Sequence, residues 1–176
     1  EAFYNLGKVF EAQGKMDNAI ASYRNAISIK PGIGEAHYNL GAALANMGKL
    51  DEAVECYRRN LDIAPNDADA YYNMGNALRD QEKPHDAIAA YQRALAINPR
   101  YAKVHNNMGN LFKAQGRLDE AVASYERAIG IDANYADAHY NLANALDNLE
   151  NLDGAITCYQ RALAINPNKA EAHINL

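Results

Sequence analysis

Residues of a few kinds return every 34 positions along this chain, and that period constrains the fold more than anything else in it. Pro31, Pro65 and Pro99 keep the step, with Ala133 in the next slot and Pro167 after it. Tyr23, Tyr57, Tyr91, Tyr125 and Tyr159 form an unbroken column, as do Ala19, Ala53, Ala87, Ala121 and Ala155, and Ile29, Ile63, Ile97, Ile131 and Ile165. Three such columns in one register establish an internal repeat, so the chain is read as copies of one unit rather than as a single irregular domain.

Within a unit the apolar spacing is helical. Phe3, Leu6, Gly7 and Phe10 lie at i, i+3, i+4 and i+7 on one helix face. Gly14-Lys15 interrupts that stripe as a helix C-terminal glycine does. A second stripe runs through Ala19, Ile20, Tyr23, Ala26 and Ile27, and Pro31-Gly32 turns the chain. Each unit is therefore two antiparallel helices with a short connection, first helices near 2–13, 35–47, 69–81, 102–115 and 136–149, second helices near 17–29, 51–63, 85–97, 119–131 and 153–165. Gly7 and Ala19 mark where the two backbones approach closely. A lone hairpin cannot bury its stripes, and stacking on neighbours solves that problem.

These residues resemble the tetratricopeptide repeat. The match is Phe3-x2-Leu6-Gly7-x2-Phe10, then Ala19-x3-Tyr23, then Pro31, with Phe3 where tryptophan is common. It extends over five units, 1–33, 34–67, 68–101, 102–135 and 136–169, with a partial sixth at 170–176. The resemblance implies an all-α fold, a right-handed superhelical α-solenoid of antiparallel helix pairs, forming a single array over residues 1–176. The start at Glu1, inside a repeat and without a methionine, reads as a piece of a longer protein. Departures from the pattern are few. Glu82 and Glu150 replace the mid-repeat glycine, Asn60 replaces a small alanine, and Ala143 stands in the Gly7 column. These are expected to weaken single units. Pro84, off the period, is placed in the first turn of a second helix, where proline is tolerated.

Composition excludes several functions. A net charge of −5 without a long run of either sign argues against a nucleic-acid surface, which needs clustered lysine and arginine. No apolar stretch spans a membrane. Cys56 and Cys158 occupy equivalent slots three repeats apart, too far to bridge, and read as buried reduced thiols, which favours a cytoplasmic location. His37, His105, His139 and His173 share the Phe3 column, at least one repeat apart and with no second ligand at i+3 or i+4, so no metal site is expected there. His85, near a helix start, is expected to face solvent. Asp17, Asp51, Asp119 and Asp153 recur at second-helix starts, where a side-chain oxygen is expected to cap free amides. No phosphate loop, nucleophile elbow or paired carboxylates appear. The chain is read as non-catalytic and without cofactor.

The informative surface is the other face of the first helices. Asn5, Asn39, Asn73, Asn107, Asn141 and Asn175 are all asparagine, and Tyr4, Tyr38, Tyr72 and Tyr140 fill most of the neighbouring column. The resemblance puts first helices on a concave wall. Asparagine offers a donor and an acceptor, matching a peptide bond, and tyrosine adds apolar area with a polar tip. The residues expected to contact an extended peptide or partner segment are Asn5, Tyr38, Asn39, Tyr72, Asn73, Asn76, Arg79, Lys103, Asn107, Asn110, Lys113, Tyr140, Asn141 and Asn144. An equally weighted reading is that the asparagines tie neighbouring repeats together; the two can coexist. A clamp for chaperone C-termini is disfavoured, because its cationic positions are here Tyr, Asn or acidic, with Lys103 the exception. The asparagine column is similar to that of the repeat region of O-linked N-acetylglucosamine transferase. Three roles follow: a peptide-binding scaffold, the substrate-recruiting arm of a larger enzyme, and a self-assembling solenoid joined end to end through uncapped terminal repeats. Cations at Arg79, Lys103 and Lys113, between acidic ends, point to a ligand with one or two mid-sequence carboxylates flanked by neutral or basic residues.

Overall fold

The computed structural model describes residues 1–168. The partial sixth unit, with His173 and Asn175, lies outside the described residues. The described chain is helical throughout, and it divides into two compact units, Glu1–Asn98 and Pro99–Leu176.

The first unit holds α1 (Ala2–Ala12), α2 (Met16–Ile29), α3 (Gly34–Asn46), α4 (Leu50–Ile63), α5 (Ala68–Asp80) and α6 (Pro84–Ile97). Each odd-numbered helix packs on its successor as a hairpin, and α2 on α3 and α4 on α5 join the hairpins. The second unit repeats the plan with α7 (Ala102–Ala114), α8 (Leu118–Ile131), α9 (Ala136–Asn148) and α10 (Leu152–Ile165). The expected spans hold to within one residue at each end.

One tyrosine per hairpin sits at the centre. Tyr23, Tyr57, Tyr91 and Tyr125 are fully or almost fully buried, and each such ring removes about 150–250 Å² from water. The glycines opposite make room for them. A Cβ added at Gly7, Gly75 or Gly109 would meet the tyrosine ring at 2.5 Å, and at Gly41 at 3.0 Å. At Ala143 the methyl is present and buried against Tyr159, so that hairpin accommodates the substitution.

The turn inside each hairpin is the same Schellman closure. Lys15 N–H donates to Phe10 C=O and Gly14 N–H to Glu11 C=O, both at 2.9 Å. Gly14, Gly48 and Gly116 hold φ of 72 to 74°, in the left-handed region. Glu82 and Glu150 hold the same conformation at φ 59 and 60°, which costs an L-residue about 1–2 kcal/mol.

This closure corrects the expected caps. The residue ending the Schellman turn, Lys15, Lys49, Lys83 or Arg117, is also the N-cap of the next helix, and none makes a side-chain cap bond. Asp17, Asp51, Asp119 and Asp153 therefore fall two residues past the N-cap, too late to cap. They stand in the first turn, where a carboxylate still complements the helix dipole. Only in α10 does a side chain cap a second helix, Asn151 accepting from Gly154 N–H at 3.1 Å. Pro84 occupies the first turn of α6, as expected.

Candidate functional site

In the first unit the asparagine column is a set of joints. Asn39 donates from Nδ2 to the Tyr4 hydroxyl at 3.3 Å, and Asn73 to the Tyr38 hydroxyl at 2.8 Å. Each bond links one repeat to the repeat before it. The accepting tyrosines are themselves pinned, Tyr4 against Tyr23 and Tyr38 against Tyr57, with ring centroids 6.1 and 6.0 Å apart. Tethering between repeats is thus present. It spends one N–H of each amide, out of two donors and a carbonyl, and Asn39 and Asn73 remain half-exposed. Asn5 is exposed, in the repeat that has no predecessor here.

The second unit makes the same joint with another acceptor. Asn141 donates from Nδ2 to Asn106 Oδ1 at 3.0 Å, because Asn106 replaces tyrosine. Tyr140 packs on Tyr159 at 5.9 Å. Asn106, buried, had not been singled out from the sequence, and the only signal was its place in the Tyr4 column.

Three other sequence-predicted residues have an inward duty. Asn76 accepts from the Tyr91 hydroxyl at 2.7 Å, Asn110 from Tyr125 at 2.8 Å, and Asn144 from Tyr159 at 2.7 Å. In the first repeat Glu11 takes this role for Tyr23, at 2.7 Å. The second repeat has Ala42 and Ala45 at the equivalent positions, and no hydrogen bond to the Tyr57 hydroxyl is made among the described residues. Burial and, at Tyr23, the Glu11 carboxylate push the Tyr23, Tyr57 and Tyr125 phenols well above their ordinary pKa. Arg79 turns to its neighbour Asp80, Nε to Oδ1 at 2.9 Å. Lys103 is exposed and Lys113 half-exposed on α7.

Two cavities open on the first unit. One, of about 490 Å³, is lined by residues that include Tyr4, Tyr38, Asn39, Asn60 and Ile63. The other, of about 430 Å³, shares Tyr4, Gly32 and Glu35 with it. Asn60 was read as a weak point and is instead a structural link. It is 2% exposed and donates to Asp67 Oδ2 at 2.8 Å, while Asp67 Oδ1 caps α5 at Ala70 N–H. The signal was a paired substitution. Asn60 replaces alanine where Gly34 also replaces alanine, and a Cβ on Gly34 would meet Asn60 Oδ1 at 3.0 Å. A cavity of about 260 Å³ opens on the second unit beside Tyr101, Lys103, Asp132 and Tyr135.

Among the described residues the histidine column has a structural role. Nε2 of His37, His105 and His139 lies 2.9, 3.2 and 3.1 Å from the carbonyl six residues earlier, in the preceding turn. His85 is exposed, as expected. No group of three or more His, Cys, Asp or Glu among the described residues could hold a metal ion. Cys56 and Cys158 are unpaired and half-buried rather than buried, and desolvation raises the Cys56 thiol to about 11. No helix among the described residues is long and apolar enough to cross a membrane.

Comparison with solved structures finds the same helix-pair solenoid. A crystal structure of MamA is similar at 27% identity and a TM-score of 0.87, covering 94% of this chain and 97% of that one. A structure described as "YrrB: a TPR protein with an unusual peptide-binding site" matches at 24% identity and 0.81, covering 98% and 89%. "MamA 41-end from Desulfovibrio magneticus RS-1" matches at 18% and 0.87, covering 96% of each. The last two speak to the fold alone. No curated protein sequence matches. Family models described as "TPR repeat" match residues 7–48 and 109–149, and others described as "Tetratricopeptide repeat" match 32–100, 78–123 and 136–169. With the period, the hairpin turns and the buried tyrosines in agreement, the chain belongs to the tetratricopeptide-repeat family and has the architecture of a protein-interaction scaffold.

Proposed function

We propose that the first-helix face of each unit holds an extended segment of a partner protein. The observation that carries this is the open cavity of about 490 Å³ along Tyr4, Tyr38 and Asn39, whose amide keeps hydrogen-bonding capacity after its tether is made. Tyrosines fixed by neighbouring rings offer contact area with little rotamer entropy left to lose. In the first unit the contact set is Asn5, Tyr38, Asn39, Tyr72, Asn73, Asn76 and Arg79. In the second it is Lys103, Asn107, Asn110, Lys113, Tyr140, Asn141 and Asn144. Such a face serves equally on a free-standing scaffold or on the recruiting arm of a larger enzyme such as a glycosyltransferase.

Replacing Asn73 and Asn107 together with alanine separates binding from tethering. Peptides selected from a random display library on this protein are titrated calorimetrically into both forms, alongside thermal melts. Affinity should fall with stability, each desolvated amide contact being worth about 0.5–1.5 kcal/mol. Lost stability with unchanged affinity would reduce the ladder to a tether.

Self-association is the second reading. It is favoured by the apolar stripe of α1, where Phe3, Leu6 and Val9 are 40, 40 and 51% exposed, and by Leu152 and Ile156 of α10, at 59 and 43%. The segment expected to cover the last hairpin, 170–176, lies outside the described residues. Light scattering that shows a constant mass across concentration would remove this reading.

A further inference from the structure

The larger cavity of the first unit has a charge that the asparagine and tyrosine columns do not announce. Its lining carries three carboxylates, Glu35, Asp67 and Asp69, and neither lysine nor arginine. These acids come from different elements. Glu35 lies in the first turn of α3, Asp67 caps α5, and Asp69 lies in the first turn of α5. They do not converge on a point, since no metal-holding group forms among the described residues. Negative charge spread around a cavity of this size calls for an extended cation rather than an ion.

The rest of the lining says what carries that cation. Ile63 and Ala64 supply apolar wall for a hydrocarbon stem, and the rings of Tyr4 and Tyr38 supply π faces. The Tyr4 ring already receives a cation, with Lys8 Nζ 5.6 Å from its centroid. Burial first, then the charges of Asp69 and Asp67, raise the Tyr38 phenol, as a negative local field requires. A planar guanidinium suits both walls at once, stacking on tyrosine while its forked donors reach carboxylate oxygens; a lysine ammonium can do only one of these well. Resting on the reading above that this face binds peptide, we propose that the cavity bounded by Glu35, Asp69, Tyr4 and Tyr38 takes an arginine side chain of the bound segment. The second unit's cavity, with Lys103 in its lining, disfavours the same residue.

The test is a 1H–15N titration of the whole chain at low salt with the blocked pentapeptide Gly-Ser-Arg-Ser-Gly. Its counterpart carries citrulline, which keeps the shape of arginine without its charge. The arginine peptide should shift the amides of Tyr38, Asn39 and Asp69, and citrulline should bind several-fold more weakly. Glu35→Gln, at an exposed position, should narrow that gap by roughly two- to fivefold, the scale of an exposed charge contact; Glu35→Gln with Asp69→Asn should close it further. Equal binding of the two peptides, or equal shifts at Lys103, overturns the proposal. If display-selected peptides still bind this face while arginine and citrulline are not distinguished, only the arginine assignment falls. If neither they nor the pentapeptides bind, the face reading falls and takes the assignment with it.

Discussion

The two units make the same joint from different parts. In the first, the asparagine amides find tyrosine hydroxyls, Asn39 on Tyr4 and Asn73 on Tyr38. In the second, Asn141 finds the carbonyl of Asn106. The donor is fixed and the acceptor is not, because any oxygen at that position and reach completes the bond. The cavity linings differ more, three acids in one and Lys103 in the other. The joint therefore constrains only a few columns, and the walls beside it are free to vary the chemistry of what is held.

The largest effects should come where the units are most alike. Tyr91→Ala in the first unit and Tyr125→Ala in the second each delete a fully buried ring. Each should cost about 3–5 kcal/mol in urea unfolding. A loss below about 1 kcal/mol at either site would show that the hairpin collapses around the gap.

The hydroxyls sharpen the comparison. Tyr91→Phe and Tyr125→Phe remove bonds to Asn76 and Asn110, and each should cost about 1 kcal/mol. Tyr57→Phe, in the repeat with Ala42 and Ala45, should be neutral or stabilising, since its hydroxyl is half-desolvated with nothing to gain. Equal losses at all three would mean the partners do not matter.

Smaller gains should follow from relieving the two left-handed glutamates, one in each unit. Glu82→Gly and Glu150→Gly should each add about 0.5–1 kcal/mol, the relieved strain less the entropy of glycine. Unchanged melting temperatures would show that side-chain contacts of the glutamates offset the strain.

The smallest effect belongs to the second unit alone. Burial first, with the Arg127 charge adding to it, lowers the His105 pKa, partly offset by its bond to Pro99 C=O. The neutral ring is thus favoured in the fold. Its contribution is complete above the unfolded histidine value of about 6.5 and is lost as pH falls through the lowered folded value. His105→Gln should lose less stability than the parent between pH 7.5 and 5.5, measured by thermal melts. Identical pH profiles would remove His105 as a source of acid lability.

Most of the fold was legible because a repeat states its pattern five times over. Helix ends, glycine slots and buried tyrosines were columns before they were contacts. The caps were misread for a physical reason. Asp17 and its counterparts look like caps from two residues away, and only the Schellman closure shows that Lys15 holds both the end of one helix and the start of the next. The site was legible as a list of columns and not as a set of duties. Asn76, Asn110 and Asn144 point inward to tyrosine hydroxyls 15 residues ahead, a separation that periodic patterning does not rank. Asn60 looked like a defect because its compensation, Gly34, stands 26 positions earlier in another helix.

The joint between repeats has an arithmetic of its own. Donor and acceptor are 35 positions apart, one more than the period, so within a unit the acceptor for the following repeat stands beside the donor for the preceding one, as Tyr38 stands beside Asn39. A duplication or deletion of one whole period within either unit leaves each new boundary already equipped with both halves of its bond. Such an array can lengthen or shorten without inventing an interface, and the copies are then free to drift apart in every column that the joint does not use.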